Sequence, residues 1–535
     1  MPAIRTAIDC NSDTFAATRA AMLALVDEFR ALEGKVRALS AAKRATIQQQ
    51  GDPVARQKLA ALLERGAPFL ELATLAGYKM HDDDGGENIM GGGLIAGIGV
   101  VSGVRCVVTA SDSAIKGGTI APMGLKKSLR AQEIARENKL PMVHLVESGG
   151  ANLLYQADIF IEGGRGFANQ ARLSAAGIPQ ITVVHGSSTA GGAYLPGLSD
   201  HVVMVRGRAK VFLAGPPLLK AATGEIAQDE ELGGAEMHAN IAGTAEYLAE
   251  SDADGIRIAR EIMAKLRWDR ATAPGGTAPL HSPDELAGVV PVDYRKPVDV
   301  REIVARIVDG SDFLEFKERY GSHTVCGTAH LGGEALGIIG NNGPIDAAGA
   351  TKAAQFIQAS CQTATPILYL QNTTGYMVGR EAEQAGIVKH GSKMIQAVAN
   401  ANVPQITLHV GASFGAGNYG MCGRAFGPRF IFAWPNNRVA VMGGEQAGRV
   451  MAIVTEEKFR KAGQSVEQAA LDTMQKKLAE RMDRESTALF ATARLWDDGL
   501  IDPRDTRKVL LLCLAICREA ETRKLNPTTF GVGRM

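Results

Sequence analysis

The chain has 535 residues, and its 58 Lys and Arg against 57 Asp and Glu give a formal net charge of +1 at pH 7. A nearly neutral chain offers no electrostatic reason to expect a nucleic acid or an anionic membrane as its partner. The length favours two domains, and the absence of an apolar run of about 18 residues excludes a predicted membrane span. Seven cysteines without a CxxC pair are typical of a reducing compartment, so we expect a soluble, cytoplasmic protein.

The amphipathic stretches of the chain predict its helices. Apolar residues recur at spacings of three and four, which is the period of a helix with one buried face. Residues 445–535 as a whole are predicted to be mostly helical. The individual predicted helices are residues 14–50, 59–63, 489–496 and 509–522.

Two glycine-rich or proline-rich stretches have different predicted roles. Residues 85–103 interleave glycine with Ile, Leu and Val, which favours twisted strands with close backbone approach over a flexible linker. Residues 269–297 combine several prolines and glycines with charged residues and predict the linker between two halves. We therefore expect an N-terminal domain over residues 1–280 and a C-terminal domain over residues 281–535.

One stretch of the chain occurs twice. Residues 179–194 and 404–419, aligned without a gap at an offset of 225, agree at eight of sixteen positions. Lys127 falls on Lys352 at the same offset. Alternating strands and helices in each copy predict a tandem duplication of an α/β domain whose loops gather at one edge of the strands.

Each copy of the repeated stretch reads as a buried strand, an uncharged loop of small residues and the start of a helix. Glycine leaves the main chain accessible, and the N–H groups at a helix start have no intrahelical partners. This is the arrangement of an oxyanion hole. Gly191 and Gly192 align with Ala416 and Gly417, so we expect an open approach to the main chain in both halves. The alternative is that these glycines serve only tight packing.

Three other motifs do not predict a functional site. Residues 411–415 match the nucleophile elbow of serine hydrolases, but no histidine follows His409, so a triad with Ser413 cannot be completed in chain order. Residues 415–420 match a dinucleotide fingerprint without the acid that should end the next strand. The acidic residues 82–84 have no second group of ligands at a suitable spacing, so no metal site is predicted.

Two oxyanion holes without a side-chain base suit the chemistry of a thioester enolate. Several longer strings then carry a resemblance to a known family: residues 116–119, 130–135, 147–152, 220–225, 231–234 and 441–446. With them, the chain resembles the β (carboxyltransferase) subunit of biotin-dependent acyl-CoA carboxylases, a duplicated crotonase-type (ClpP/crotonase) ββα superhelix fold, nearly from end to end. Residues 493–499 and 501–503 resemble its methylcrotonyl-CoA and geranyl-CoA branch.

The resemblance implies a role for each half. The N-terminal half would bind acyl-CoA, with the Gly191 and Gly192 amides on the thioester oxygen. The C-terminal half would receive carboxybiotin, with Ala416 and Gly417 on the ureido carbonyl. Further implied substrate-binding residues are Lys116, Gly117, Gly149, Gly150, Gly163, Gly164 and Ala193. Implied biotin-binding residues are Thr373, Thr374, Gly375, Tyr376 and Gly415.

The resemblance also implies partners. No biotinylation site and no ATP-binding loop is visible in the sequence, so biotin would be carried on a separate biotin carboxylase/biotin-carrier α subunit. The β subunits would form a homo-oligomer with a hexameric core, in which the N half of one subunit and the C half of another share a site. The biotin anion left after CO2 release would take the substrate proton.

Two departures from the family pattern bear on substrate binding. Residues 56–59 only partly match a basic stretch that contacts the CoA phosphates in the family, which leaves those contacts unassigned. Methylcrotonyl enzymes usually have a longer loop with a bulky aromatic where Gly163 aligns, within residues 160–167. Removing that ring would make room for more methylenes, each stabilising by about 0.8 kcal/mol when buried.

The shorter loop therefore predicts geranyl-CoA as the substrate, with methylcrotonyl-CoA as the alternative. A shortened surface loop that merely turns at glycine would explain the same residues without any role in selectivity. A crotonase-type hydratase and an inactive scaffold are the remaining functional alternatives.

Overall fold

The computed structural model describes residues 3–42, 53–81 and 90–532. These form two compact units that take their residues from several parts of the chain. The amino-terminal unit comprises Ala31–Ala273, Ala493–Leu495 and Ile516–Met535. The carboxyl-terminal unit comprises Met1–Arg30, Pro274–Thr492 and Trp496–Ala515. The predicted functional division at residue 280 stays a prediction.

The described residues contain strands and helices in alternation. The strands β1 to β15 are Leu70–Glu71, Leu94–Val101, Val104–Ser111, Met142–Ser148, Gln180–Thr189, His201–Val205, Lys210–Phe212, Tyr247–Ala249, Leu314–Glu315, Thr324–Leu331, Glu334–Asn341, Ile367–Thr373, Gln405–Phe414, Phe430–Ala433 and Arg438–Ala440. The helices α1 to α19 are Asp13–Ala42, Ala55–Leu62, Pro122–Glu137, Gln156–Ala175, Tyr194–Gly197, Pro216–Thr223, Asp229–Gly233, Ala235–Asn240, Asp252–Lys265, Leu286–Val289, Val300–Ile307, Ala347–Gln362, Arg380–Gln384, Ile387–Asn400, Gly415–Gly420, Gly444–Lys461, Gln468–Glu485, Ala488–Ala493 and Thr506–Thr522.

Each unit is built on one sheet, and the two sheets share their strand order except that the first has one additional strand, β8, beyond β6. The strand order is β1-β2-β3-β4-β5-β6-β8 in the amino-terminal unit, with β7 beside β5, and β14-β13-β12-β11-β10-β9 in the other, with β15 beside β13. An antiparallel pair leads into parallel strands in both sheets. Helices cover parallel strands on both faces, which explains why these strands are continuous apolar runs. The predicted duplicated α/β fold is confirmed.

The duplication extends to the strand register. Met142 pairs with Gln180 and Ile367 pairs with Gln405, so both strands of the pair are displaced by 225 residues. The register also shifts near the carboxyl end of each pair, before Ser148 in β4 and before Thr373 in β12. Such an irregularity re-aims the chain that follows. The loops after the strands are therefore delivered in the same way in both units.

Most of the predicted elements are present with shifted ends. The predicted helical arm is present as α1, and its predicted end at residue 50 lies outside the described residues. The short second helix already begins at Ala55, and the last helix already begins at Thr506. The predicted helix over 489–496 ends at Ala493 instead, because Leu495 adopts a left-handed φ of 57°. The acidic run 82–84 lies outside the described residues. In the described part of the chain, no helix has both the length and the apolarity that a membrane span needs.

One predicted element is wrong. Residues 160–167, predicted as a loop that includes Gly163 and Gly164, lie inside α4 (Gln156–Ala175). Glycine weakens a helix interior by about 1 kcal/mol relative to alanine but does not forbid it. The apolar and helix-forming residues on either side, with Asp158 in the first turn, are sufficient to keep the helix continuous.

Candidate active site

Three loops of the amino-terminal unit meet at the carboxyl edge of its sheet, because β3, β4 and β5 are parallel neighbours. The loop after β3 contains the 3-10 turn Lys116–Gly118. The Gly149 N–H donates to the Gly117 carbonyl (3.2 Å), and the Ile120 N–H donates to the Gly150 carbonyl (2.8 Å). The structure therefore brings the predicted residues of the first two loops together.

The carboxyl-terminal unit repeats this loop contact. The Ile345 N–H donates to the Gly375 carbonyl at 2.9 Å. The Gly375 N–H donates to Thr373 Oγ1 at 3.2 Å, as the Gly150 N–H donates to Ser148 Oγ at 3.2 Å. The backbone of the predicted biotin loop is thus held like that of its counterpart.

The third loop of each unit turns directly from a strand into a helix. Ala190 and Gly415, 225 residues apart, both take a left-handed φ, of 53° and 57°. Short helical segments follow, Ala190–Ala193 in one unit and Gly415–Gly420 in the other. Gly191, Gly192, Ala416 and Gly417 therefore all lie in a first helical turn, where N–H groups have no intrahelical partner. This is the main-chain geometry that an oxyanion hole requires.

A cavity of about 610 Å³ opens beside the amino-terminal loop. It lies between strands β3 and β4 and helices α3 and α4, and its exposed surface is mainly apolar. Four predicted residues line it, namely Gly163, Gly164, Gly191 and Gly192. Lys116, Gly117, Gly149, Gly150 and Ala193 lie in the neighbouring loops and are not among its lining residues. An apolar cavity beside an array of main-chain donors suits an acyl chain with a reactive carbonyl at one end.

The glycines of α4 leave room in this cavity. A Cβ added at Gly163 or Gly164 would meet no atom within 4 Å. Packing in the described structure therefore does not require glycine at either position, although each glycine weakens the helix by about 1 kcal/mol.

The two third loops differ in how closely they are packed. A Cβ at Gly192 would have ordinary contacts, at 3.6 Å from Ser188 Oγ and 3.7 Å from Ser148 Oγ. A Cβ at Gly417 would lie 2.8 Å from the Cα of Gly375. Packing therefore requires glycine at position 417 but not at position 192.

The predicted biotin-binding residues have different surroundings. Thr374 is exposed, whereas Tyr376 is partly buried with its hydroxyl 3.4 Å from the Gly391 carbonyl, to which it donates. Burial raises the pKa of Tyr376 above its ordinary value. The Tyr376 ring also packs against Gly420 of α15. Its side chain thus supports the helix that follows the third loop.

Ser413 does not have the surroundings of a nucleophile. It is fully buried, and its hydroxyl donates to Gln371 Oε1 (2.5 Å) and accepts from Asn418 Nδ2 (2.7 Å). A catalytic serine needs a base within hydrogen-bond reach. Ser413 has two amide side chains there instead, in agreement with the rejection of a hydrolase from the sequence.

The basic residues 56–59 are occupied by ion pairs. Arg56 binds both oxygens of Glu71 (2.8 and 3.1 Å), and Lys58 binds Glu147 (3.1 Å). Burial tends to raise the pKa of Glu71, but the bonds from Arg56 bring it below its ordinary value. These two cations stabilise the fold, and the structure gives neither of them a free position for a CoA phosphate.

Each unit contains a buried lysine and an Arg–Glu ion pair. From the sequence, only the match of the two lysines was apparent. Arg301 binds both oxygens of Glu315 at 2.7 Å, as Arg56 binds Glu71. Lys127 and Lys352, matched by the offset of 225, are both buried, and burial lowers the pKa of each. The match of these lysines therefore reflects a repeated packing feature.

One residue in the cavity wall is not predicted from the sequence. His144 lies on β4, lines the cavity, and is 3% exposed. Its Nδ1 is 2.7 Å from Thr109 Oγ1, and burial lowers its pKa to about 4. A lone histidine in an apolar strand carries no motif, so only the structure reveals its position.

Known proteins resemble this chain over most or all of its length. Residues 47–532 match the family described as "Carboxyl transferase domain". A probable biotin-dependent acyl-coenzyme A carboxylase beta2 subunit of Mycobacterium tuberculosis is 49% identical, over 99% of this chain and 100% of its own. The mitochondrial methylcrotonoyl-CoA carboxylase beta chain of Dictyostelium discoideum is 48% identical, over 91% of this chain and 83% of its own.

A solved structure resembles it more closely still. The crystal structure of the P. aeruginosa geranyl-CoA carboxylase beta subunit is 61% identical, with a TM-score of 0.94, and each chain is covered completely. The fold, the repeated loops and these relatives lead to one conclusion. The chain belongs to the carboxyl transferase domain family, among the β subunits of biotin-dependent acyl-CoA carboxylases.

Proposed function

We propose that this β subunit transfers the carboxyl group of carboxybiotin to geranyl-CoA. The observation that carries the substrate assignment is the apolar cavity of about 610 Å³, into which α4 presents Gly163 and Gly164 instead of larger side chains. Burial in such a cavity stabilises a longer acyl chain by about 0.8 kcal/mol for each additional methylene. The 61% identity to a geranyl-CoA carboxylase β subunit supports the same substrate.

The main chain supplies the chemistry of the acyl side. Removing a proton from a conjugated enoyl thioester places negative charge on the thioester oxygen. The N–H groups of Gly191 and Gly192, at the start of a helical turn and at the cavity wall, would stabilise that charge. Carboxybiotin would supply both the CO2 and the base for the substrate proton, while the Gly191 and Gly192 N–H groups would hold the enolate that forms the new carbon–carbon bond to CO2.

The biotin side is assigned to the carboxyl-terminal unit. The N–H groups of Ala416 and Gly417 would bind the ureido carbonyl, and the loop from Thr373 to Tyr376, together with Gly415, would lie beside the bicyclic ring. Support comes from the repeated loop geometry, with Ala416 exposed like its counterpart Gly191. By this assignment residues 1–280 serve acyl-CoA and residues 281–535 serve carboxybiotin.

The proposed function requires partners. A separate α subunit would carry biotin, and several β subunits, in a hexameric core, would share each site between two chains. Support for shared sites comes from exposed apolar side chains at and beside the cavity, namely Leu153, Leu154, Phe160 and Ile161. We place the complex in the cytoplasm because seven cysteines without a CxxC pair are typical of a reducing compartment.

The test compares Gly163→Phe with Gly163→Ala. Both remove a helix glycine, but only phenylalanine fills the cavity. With the α subunit, ATP and bicarbonate, Gly163→Phe is expected to lower kcat/KM for geranyl-CoA at least tenfold more than for methylcrotonyl-CoA. Gly163→Ala is expected to keep the ratio of the two substrates close to that of the wild type.

Methylcrotonyl-CoA is the second candidate, because methylcrotonoyl-CoA carboxylase β chains are 45–48% identical to this chain. A wild-type enzyme that carboxylates methylcrotonyl-CoA faster than geranyl-CoA would overturn the first assignment. Equal losses on both substrates in Gly163→Phe would remove Gly163 as the selecting residue. Absence of any transfer with the α subunit present would favour an inactive scaffold.

A further inference from the structure

His144 places a polar group in the wall of an otherwise mainly apolar cavity. The side chain is 3% exposed, and its Nδ1 is bonded to Thr109 Oγ1 at 2.7 Å. Its Nε2 is buried and has no hydrogen-bond partner among the residues that the structure describes. A buried polar atom without a partner is unfavourable, so its position in a ligand cavity indicates a partner in the ligand.

Two other polar side chains of the cavity wall already have hydrogen-bond partners in the protein. Gln132 Nε2 donates to the Gly166 carbonyl (3.1 Å), and Gln170 Nε2 donates to the Leu195 carbonyl (3.2 Å). Both bonds hold α4 or the segment after the third loop in place. His144 differs because it lines the cavity while its second ring nitrogen, which is buried, bonds to none of the described residues.

The position of His144 along β4 specifies which part of a ligand it would meet. Ser148, near Gly192, lies at the reactive end of the cavity. Four residues of strand separate Ser148 from His144, a distance of roughly 13 Å. A five-carbon acyl group bound at Gly192 is too short to reach that depth, whereas an extended ten-carbon terpenoid chain brings its far end close to His144.

The chemistry of the ring limits the group that it can bind. Burial keeps the imidazole neutral, so it has no charge with which to attract a carboxylate. The Thr109 hydroxyl can donate to Nδ1 or accept from it, which leaves Nε2 as a donor or as an acceptor. A hydroxyl group on the ligand matches both tautomers, because it also donates and accepts.

We propose that His144 Nε2 hydrogen-bonds a hydroxyl group at the far end of the acyl chain, so that the pocket prefers terpenoid enoyl-CoA esters that are hydroxylated at that end. The proposal rests on the proposed function, since it takes the cavity to be the acyl pocket. It adds a second recognition point to the thioester site.

Binding, measured without turnover, tests the preference directly. Calorimetry on the β subunit would compare geranyl-CoA with its analogue hydroxylated on a terminal methyl group. The wild type is expected to bind the hydroxylated ester about tenfold more tightly, which corresponds to about 1.4 kcal/mol. His144→Leu is expected to bind the two esters equally, and His144→Gln to retain most of the preference.

His409 provides the matched control. It too is a buried histidine whose Nε2 lacks a partner in the described residues, but it belongs to the other unit and does not line this cavity. His409→Leu should leave the tenfold preference unchanged. Carboxylation assays of the same four proteins with the α subunit should show the same ratios in kcat/KM.

Three outcomes separate this inference from the proposed function. Equal or weaker binding of the hydroxylated ester by the wild type overturns the inference. His144 would then have only a structural role, or its Nε2 would bond to a bound water. A preference that persists in His144→Leu also overturns it, while a variant that fails to fold leaves the wild-type comparison decisive. A binding preference without carboxylation of either ester would support the pocket and contradict the proposed function.

Discussion

The loop after β5 and the loop after β13 share a backbone but differ in what surrounds their glycines. Both begin with a left-handed residue, Ala190 or Gly415, and enter a helix at once. Gly191 and Gly192 of the first loop line a cavity of about 610 Å³. Gly417 of the second loop packs against Gly375 so closely that a Cβ would not fit.

The difference shows that one glycine pattern can have two causes. In the first loop the described protein atoms leave room for a side chain, so packing does not require glycine there. In the second loop the backbone itself requires glycine at position 417. The proposed ligand would account for glycine in the first copy, whereas packing accounts for Gly417 in the second.

The largest expected effect tests the first cause. Gly191→Val keeps the N–H group but fills the space toward Phe167, whose Cζ would lie 3.8 Å from the new Cβ. Obstructing one oxyanion donor is expected to lower kcat by about 10²- to 10³-fold, with little change in stability. Ser413→Ala is the control and should keep nearly full activity per folded protein. A Gly191→Val variant with wild-type kcat would contradict a ligand at this loop.

Lowering the pH should reduce the free energy of unfolding through the buried histidines of both units. Burial lowers the pKa of His144 and of His409 from 6.5 to about 4. Between these pH values the unfolded chain binds more protons, so this contribution is fully present above pH 6.5 and is lost as the pH falls to about 4. Each histidine contributes about 3 kcal/mol to this loss in the free energy of unfolding.

The measurement must be a difference between proteins. Burial raises the pKa of Asp497 to about 7, which gives an opposite dependence of stability on pH in the same range. Denaturant unfolding of the wild type and His409→Leu at several pH values from 7 to 4 cancels the contribution of Asp497. The wild type should lose more stability than the variant, and parallel curves would contradict the neutral state of His409.

Packing in the second loop gives a smaller expected effect. Gly417→Ala places a Cβ 2.8 Å from the Gly375 Cα and 3.0 Å from Thr373 Cγ2, so the loops must move apart. Forcing a methyl group into a packed site destabilises by about 1–3 kcal/mol. Gly192→Ala is the matched variant and should unfold at nearly the wild-type denaturant concentration. Equal destabilisation of the two variants would remove the distinction between the loops.

The sequence predicted the duplicated fold well, because the offset of 225 and the apolar strands are local patterns. It also placed Gly163, Gly164, Gly191 and Gly192, which the structure brings to one cavity. Prediction from the sequence failed where the packing of a glycine depends on residues distant in the chain. Nothing local distinguishes Gly417 from Gly192, since Gly375, which approaches Gly417 closely, lies in the loop that follows the neighbouring strand β12.

The error at α4 and the omission of His144 have related causes. Three glycines, including Gly163, suggested a loop, but helix formation depends on the whole segment and on burial of its apolar face. His144 contributes to the cavity only because β4 aligns it with Thr109 of β3. Such pairings depend on strand register, which the sequence of one strand does not contain.

The smallest expected effect concerns the residue that begins each loop. Ala190 holds a left-handed φ of 53°, whereas its counterpart Gly415 adopts 57° without a Cβ. A residue with a side chain pays about 1 kcal/mol or more for this conformation. Ala190→Gly is therefore expected to stabilise the folded protein by up to about 1 kcal/mol, less the extra entropy that glycine gives the unfolded chain.

The reverse change in the second copy should have the opposite sign. Gly415→Ala introduces the same strain and places a Cβ 3.1 Å from the Val441 carbonyl oxygen, so a loss of about 1–2 kcal/mol is expected. Both values come from denaturant unfolding with unchanged slopes. If Ala190→Gly instead destabilises the protein, packing of the Ala190 methyl group must stabilise it by more than the backbone strain destabilises it. The two copies would then differ at the first residue of the loop as well as at Gly417.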